Sequence, residues 1–516
     1  MAGAKLARIY AIGIAVLSFA GSIYADDPIR CAPPPLPGNV GNVAGLTMCI
    51  NNANALGGGT IDLGGLTYTL TATLPNISST ITIENGTITK NQTLQFRLLH
   101  VVAPGSLSLI SVTLENGNDT SIGGGAVRCE VGSQLGLIKD SSFINNQSEA
   151  GGGAIHLLGV GNTIIRSTFT NNTGGFGGAI LVFGGHLELI SDSIFQGNES
   201  LNGSSGAAIG LVVGGTMGTV VSSIFAGNLA TFSGGAIHME EASFIELIDR
   251  STFSFNQAQI FFGGAINSVF GDTDKIGTIS NCTFNNNTAA EGGGAIGVQS
   301  GTVGTMYNNT FNQNTAAQGG AIFVGPPDAS IGSAGATIVE LFNNTVAGNS
   351  ATTANGGGGI YDCHVIENMI SNIVGRNIDT TTSPPTPDDI VLCEAADLVS
   401  ASFNLIGVGT ANNGFIAPDD ANYNEVGTLA FPLDPNLGVL KNNGGPTFTM
   451  ALLTNSVAIG AGANPLGLLH DQRGRGFQRT THDQTDMGAY QVQRSRTCPC
   501  RPGSDCRPDD CREHHP

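Results

Sequence analysis

Two short words alternate along the middle of this chain, and their spacing restricts its possible folds more than any other feature. The first is Gly-Gly-Ala-Ile, found with small changes at Gly124 to Val127, Gly152 to Ile155, Gly177 to Ile180, Gly206 to Ile209, Gly234 to Ile237, Gly263 to Ile266, Gly293 to Ile296 and Gly319 to Ile322, with a GGGI variant ending at Ile360. The second is Phe-x-x-Asn, at Phe143/Asn146, Phe169/Asn172, Phe195/Asn198, Phe225/Asn228, Phe253/Asn256, Phe284/Asn287 and Phe311/Asn314. A period of 25 to 30 residues is too short for a domain. It suits a unit that buries its apolar side only against copies of itself.

Aligned on the Phe, the repeats give columns with a physical meaning. Five positions earlier the residue is always apolar: Ile164, Ile190, Val220, Ile248, Ile279, Met306. Two positions earlier stand Ser141, Ser167, Ser193, Ser223 and Ser251, then Cys282 and Asn309. The pattern predicts a short strand, a polar bend and a second strand, with Phe and the apolar residue inward. After Gly-Gly-Ala-Ile the next position is unrestrained (Arg128, His156, Leu181, Gly210, His238, Asn267), and the one after it is mostly apolar (Cys129, Leu157, Val182, Leu211, Met239). Such alternation marks a strand with one face in and one face out. The repeats contain no run with the apolar spacing of a long helix, so helical solenoids fit poorly. The chain reads as all-β: a parallel β-helix of about ten coils, roughly 50 Å long if strands stack about 4.8 Å apart. Asn in the turn can form a ladder from coil to coil, and the Phe rings a stack.

The 75 Gly, the absence of Trp and the 11% charged content agree with a repeat-built β protein. A net charge of −19 excludes nucleic acid and anionic membrane surfaces as partners, because both require basic patches. Residues 1–25 place Lys5 and Arg8 before an apolar run from Ile9 to Phe19 and small residues up to Ala25. That is the layout of a signal peptide, and the apolar run is short for a membrane span. The mature chain would start near Asp26, carry no transmembrane segment, and reach a compartment where cysteines oxidise. Residues 26–75 form an N-terminal region in which 46–56 reads as a short amphipathic helix capping the solenoid. Residues 76–379 hold the β-helix repeats. Residues 380–493 form a C-terminal extension of irregular coils that closes the other end, beginning with the Pro-rich TTTSPPTPDD loop. Residues 494–516 are a polar, Cys-rich tail.

The alternating words resemble the repeats of chlamydial polymorphic outer membrane proteins. More of the chain, residues 45 to 492, resembles secreted bacterial choice-of-anchor Q proteins. Its marks are MCINNANALGGGTIDL, ITIENGTI with LSLISVTLENG, and then FNLIG, DPNLGVLKNNGGPTFTMALL, DQRGRG and DMGAY. The resemblance implies a right-handed parallel β-helix exported to the cell surface, outer membrane or medium. Gly460 stands where an acidic residue is expected, and Gln491 follows DMGAY where Glu is usual.

Cys31 with Cys49 and Cys363 with Cys393 are disulfide candidates, as are the tail cysteines Cys498, Cys500, Cys506 and Cys511, although sequence does not fix the connectivity. With His514 and His515 the tail also invites zinc or copper, but its spacing lacks paired C-x2-C knuckles. Cys129 and Cys282 read as structural, having no partner signature for a catalytic thiol. His156 and His238 follow Gly-Gly-Ala-Ile and read as solvated surface histidines. Asp272, Asp274, Asp419, Asp420 and Glu425 could hold Ca²⁺, yet solvated loops fit them better. Only Arg166, Arg250 and Lys275 are basic between Phe143 and Ile322, and Tyr307 is the one Tyr there. A polysaccharide lyase or hydrolase needs more of both. No catalytic, cofactor or metal residue is assigned. The reading is an exported, noncatalytic envelope protein making adhesin-like contact with an extracellular or envelope ligand, such as a glycan or host surface. A polysaccharide enzyme and a periplasmic scaffold are the alternatives.

Overall fold

The computed structural model describes residues 30–36, 40–201, 203–270, 273–330, 333–394, 397–409, 415 and 422–493. The expected signal peptide and Cys-rich tail lie outside them. The described chain is a parallel β-solenoid of about 13 turns with little helix. A typical coil runs through Val160–Ile165, Thr168–Thr170, Thr173–Gly174 and Ile180–Phe183. The first two strands of each coil belong to one 26-stranded sheet, and the third and fourth to two 11-stranded sheets. Like residues lie over like: Phe143 pairs with Phe169 and Phe169 with Phe195, while Ile155 pairs with Ile180 and Ile180 with Ile209.

Each bend combines a left-handed residue with the polar residue that follows it. Arg166 (φ 47°) precedes Ser167, and Asn171 (φ 52°) precedes Asn172. This backbone is unfavourable for a residue with a side chain, so the neighbouring coils must hold it in place. Two hydrogen-bonded ladders do so. Asn172 donates its backbone N–H and its Nδ2 to Oδ1 of Asn198, both at 3.0 Å, and its Nδ2 also reaches the Phe143 carbonyl at 2.9 Å. The same arrangement links Asn198 to Asn228, Asn228 to Asn256 and Asn256 to Asn287, and continues to Asn377. At the other bend the Ser193 N–H donates to Ser223 Oγ at 3.2 Å, and the row passes through Cys282 into Asn309, Asn344, Asn372 and Asn404. The Ser-to-Asn change thus keeps one role, an inward acceptor for the N–H of the preceding coil.

Inside, six ring contacts stack Phe143, Phe169, Phe195, Phe225, Phe253, Phe284 and Phe311 with centroids 4.6 to 4.9 Å apart and planes within 6°. The Gly-Gly pair is explained by two separate constraints. Gly177 has φ 64°, and a Cβ on Gly178 would collide with the carbonyl of Ala207 in the next coil.

The turn count exceeds the expected ten because coiling extends beyond the regular repeats on both sides. Gly58–Asp62 and Thr67–Leu70 already pair with Thr80–Lys90, and Leu398–Ser402, Leu405–Ile406 and Glu425–Val426 continue the large sheet. Helix α1 (Val43–Leu56) covers the first coil. Asn42 caps it by accepting the Gly45 N–H, and Leu46, Cys49, Ile50 and Ala53 form its buried stripe. At the opposite end Phe415 joins the core, and Thr386–Pro387 pairs antiparallel with Ile378–Asp379. Pro387 has no N–H to offer a further strand, which blunts that edge.

Residues 433–493 lie along the side of the solenoid. Their apolar residues Leu437, Met450, Leu452, Ala458 and Met487 pack on Ala347, Ile373 and Leu405. Gln472 reaches Thr283 Oγ1, Thr310 Oγ1 and the Cys282 carbonyl at 3.1, 2.6 and 3.1 Å. Gly460 and Gln491 hold this segment together. The Gly460 N–H donates to Asp486 Oδ1 at 2.7 Å, and Gln491 Oε1 accepts the Asp486 N–H at 2.8 Å.

Candidate functional site

The outward positions of the fourth strand form a row: Arg128, His156, Leu181, Gly210, His238, Asn267, Gly297, Phe323 and Tyr361. The sequence places His156 and His238 in solvent, and the structure corrects that. His156 and His238 are 6% and 1% exposed. The loops joining the third and fourth strands fold across the row; a Cβ on Gly151, for example, would lie 2.5 Å from His156 Nδ1.

Two cavities open along this face. The first, about 350 Å³, lies at the N-terminal end between Asn76, Arg97, His100, Asp119 and Ser121. Arg97 is paired with Asp119, and Arg128 Nε with Glu130 Oε1 at 2.7 Å, while His100 Nε2 lies 2.9 Å from the same Glu130 oxygen. The Arg128 hydrogen bond, aided by His100, lowers the Glu130 carboxyl to about 2. Burial, reinforced by the Arg128 charge, lowers His156 to about 4, so its ring is neutral at pH 7. Arg97 is thus matched by Asp119 and Arg128 by Glu130 on a covered polar face, while Arg97 Nη1 and His156 Nε2 are buried there without a hydrogen-bond partner.

The second cavity, about 320 Å³, is aromatic. Phe262, Phe323 and Tyr361 line it with Gln299, Gln318 and Asp328. Phe323 and Tyr361 are parallel within 4° at 5.8 Å, and Phe262 leans over Phe323 at 4.8 Å and 42°. Gly297 supplies no outward side chain between Asn267 and Phe323, and Gly292 permits the aromatic contact, since a Cβ there would lie 2.8 Å from both Phe262 and Phe323. Sequence reading missed this group because it followed the outward column only as far as Asn267. The next members, Gly297, Phe323 and Tyr361, carry the signal.

Cys31 is joined to Cys49 and Cys363 to Cys393, with Cα atoms 5.7 and 4.7 Å apart. Cys363 also lines the aromatic cavity. Cys129 and Cys282 are free and buried in separate coils, and burial raises both thiols, Cys129 to about 12. Cys498, Cys500, Cys506, Cys511, His514 and His515 lie outside the described residues, as do Asp272, Asp419 and Asp420. Asp274 is buried and accepts the Ser243 N–H at 2.7 Å, whereas Glu425 is exposed. Among the described residues no group of three or more His, Cys, Asp or Glu could hold a metal ion. No helix among them is long and apolar enough to cross a membrane.

The coils, ladders and stacked rings define a parallel β-helix solenoid. The model of the Chlamydia polymorphic membrane protein repeat matches residues 140–157, 166–182 and 281–299. Each matched segment runs from a left-handed bend through the Phe strand and Asn turn to the Gly-Gly-Ala-Ile strand, so it carries the parts that stack one coil on the next. No curated protein and no solved structure matches the chain.

Proposed function

We propose that this is an exported, noncatalytic β-helix protein of the bacterial envelope whose side makes adhesin-like contacts. The observation that carries the reading is the repeat match over three separate segments, since the matched family is one of membrane proteins. The lateral surface adds support. Before the C-terminal segment takes over at Thr283, the Phe-strand face carries Ile194 and Ile224 side by side in register, 37% and 43% exposed. Exposed apolar residues arranged in this way suit contact with another molecule. The choice-of-anchor Q resemblance of the C-terminal blocks points toward the same secreted setting.

A polysaccharide lyase or hydrolase would need accessible carboxylates near basic groups. The three carboxyls that burial raises to about 7, Asp274, Asp362 and Asp389, are enclosed within the solenoid and its turns. Enclosure keeps these three from a polymeric substrate. Protease shaving of intact cells, with immunoblots of cells and medium and a periplasmic control, tests the proposed placement. Loss of the β-helix signal with the control intact, or protein in the medium, supports surface or secreted placement. Full protection until lysis rejects it in favour of a periplasmic scaffold.

A further inference from the structure

We infer that the aromatic cavity is a subsite for a neutral pyranose unit of a glycan. This deepens the surface-contact reading and rests on it for its biological setting. The pyranose ring has apolar C–H faces and a polar hydroxyl rim, and the cavity offers surfaces for both. Phe262 and Tyr361 are half-buried and pack against Phe323, which is itself only 5% exposed, so the aromatic surface open to a ligand belongs chiefly to Phe262 and Tyr361, one on either side of it. Half-buried aromatic rings pack against flat, weakly polar C–H surfaces. Gln299 and Gln318, both half-buried, bring amides that can donate to and accept from hydroxyls, and the exposed Asp328 carboxylate adds an acceptor.

Charge selects among sugars. Among the described residues no lysine or arginine lines the cavity, whereas Asp328 does. A uronate or sulfated sugar would therefore meet a like charge without compensation, and the chain's net charge of −19 acts in the same direction. One wall of the cavity is built on solenoid strands, while Phe262 and the segment Gly325, Pro326 and Asp328 reach it from connections. Tyr361 sits on a strand in register with Phe323, and the Cys363–Cys393 disulfide closes the adjoining turn. A wall on regular strands keeps its shape before the ligand arrives, which limits the ordering cost of binding.

Isothermal titration of the purified chain provides the test, using hexaoses of β-1,4-glucose, α-1,4-glucose, β-1,4-mannose and β-1,4-N-acetylglucosamine, with hexagalacturonate as the acidic comparison. At least one neutral hexaose should bind and hexagalacturonate should not. Tyr361→Ala should weaken that binding by ~10-fold and Tyr361→Phe by less than ~3-fold. Gln318→Ala, which leaves the aromatic wall intact, should also weaken it and serves if Tyr361→Ala fails to fold. Absence of binding by every neutral hexaose, preference for hexagalacturonate, or binding unchanged in both Tyr361→Ala and Gln318→Ala would overturn the inference. These results are independent of protease shaving, so the subsite and the surface placement can fail separately.

Discussion

Asn377 donates both its backbone N–H and its side-chain amide to Oδ1 of Asp389, each at 2.9 Å. Every earlier member of that ladder both accepts and donates, so the row ends on a side chain that only needs to accept. Burial raises the Asp389 carboxyl from 3.8 to about 7, with neighbouring Asp388 adding to the rise.

This makes the last ladder step sensitive to pH. Because the folded value lies above the unfolded one, the protonated carboxyl favours folding. Its contribution is complete below about pH 4 and is lost as pH rises through about 7, a difference of roughly 4 kcal/mol for one such group. Urea unfolding of the C-terminal coils from pH 4 to 8 should show a shallower decline for Asp389→Asn than for the parent chain. Asp274 and Asp362 titrate in the same direction in both proteins and cancel in the comparison. Identical slopes would remove Asp389 as the source.

Asn228 tests the interior of the ladder. It accepts both donors of Asn198 and donates to the Phe195 carbonyl and to Asn256. Asn228→Ala leaves several buried groups unpaired and should cost roughly 2 to 5 kcal/mol in denaturant unfolding. Ser223→Ala, which removes one accepted bond and one donated bond, should cost less.

Phe225 sits between Phe195 at 4.9 Å and Phe253 at 4.7 Å. Phe225→Ala should lower stability by about 3 to 5 kcal/mol, whereas Phe225→Leu, which refills most of the space, should lower it less. Thermal unfolding followed by circular dichroism distinguishes the two.

The buried thiols should be inert. Peptide-resolved mass spectrometry after iodoacetamide treatment should find Cys129 and Cys282 unmodified in the folded chain and alkylated after denaturation, because the thiolate is disfavoured by burial and the reagent is excluded. Rapid labelling of either one in the folded protein would contradict this packing.

Gln472→Ala should loosen the side-docked segment without melting the coils. Limited proteolysis is expected to cut within residues 433–493 at least several-fold faster, while the β-sheet circular dichroism signal persists.

What could be read from the residues follows from periodicity. Phe143 through Phe311 and their Asn partners recur in fixed columns, and an inward column is constrained in every coil by the one before it. The bend before each ladder residue was visible as polarity, but its left-handed backbone was hidden because residues as different as Arg166, Asp192 and Phe255 adopt it. His156 and His238 were misplaced for a related reason. Their burial depends on loops such as 119–123, whose sequences do not repeat, so no column reports it. The docking of Gln472 on Thr310 joins positions 162 residues apart in sequence, and no local pattern encodes that distance. The aromatic cavity lay between these cases: Phe323 and Tyr361 continue a column, but Phe262 enters from a loop.

The Asn ladder also gives the molecule electrical direction. Each side-chain amide from Asn146 onward donates one N–H to the ladder residue of the next coil and accepts on its oxygen from the previous one, its other N–H turning back to a backbone carbonyl. Their dipoles therefore add along the axis, as peptide dipoles do in an α-helix. The positive end of this row meets the Asp389 carboxyl. A rod built almost entirely of β-strands, whose own sheet dipoles are small, thus acquires a head and a tail through one repeated side chain.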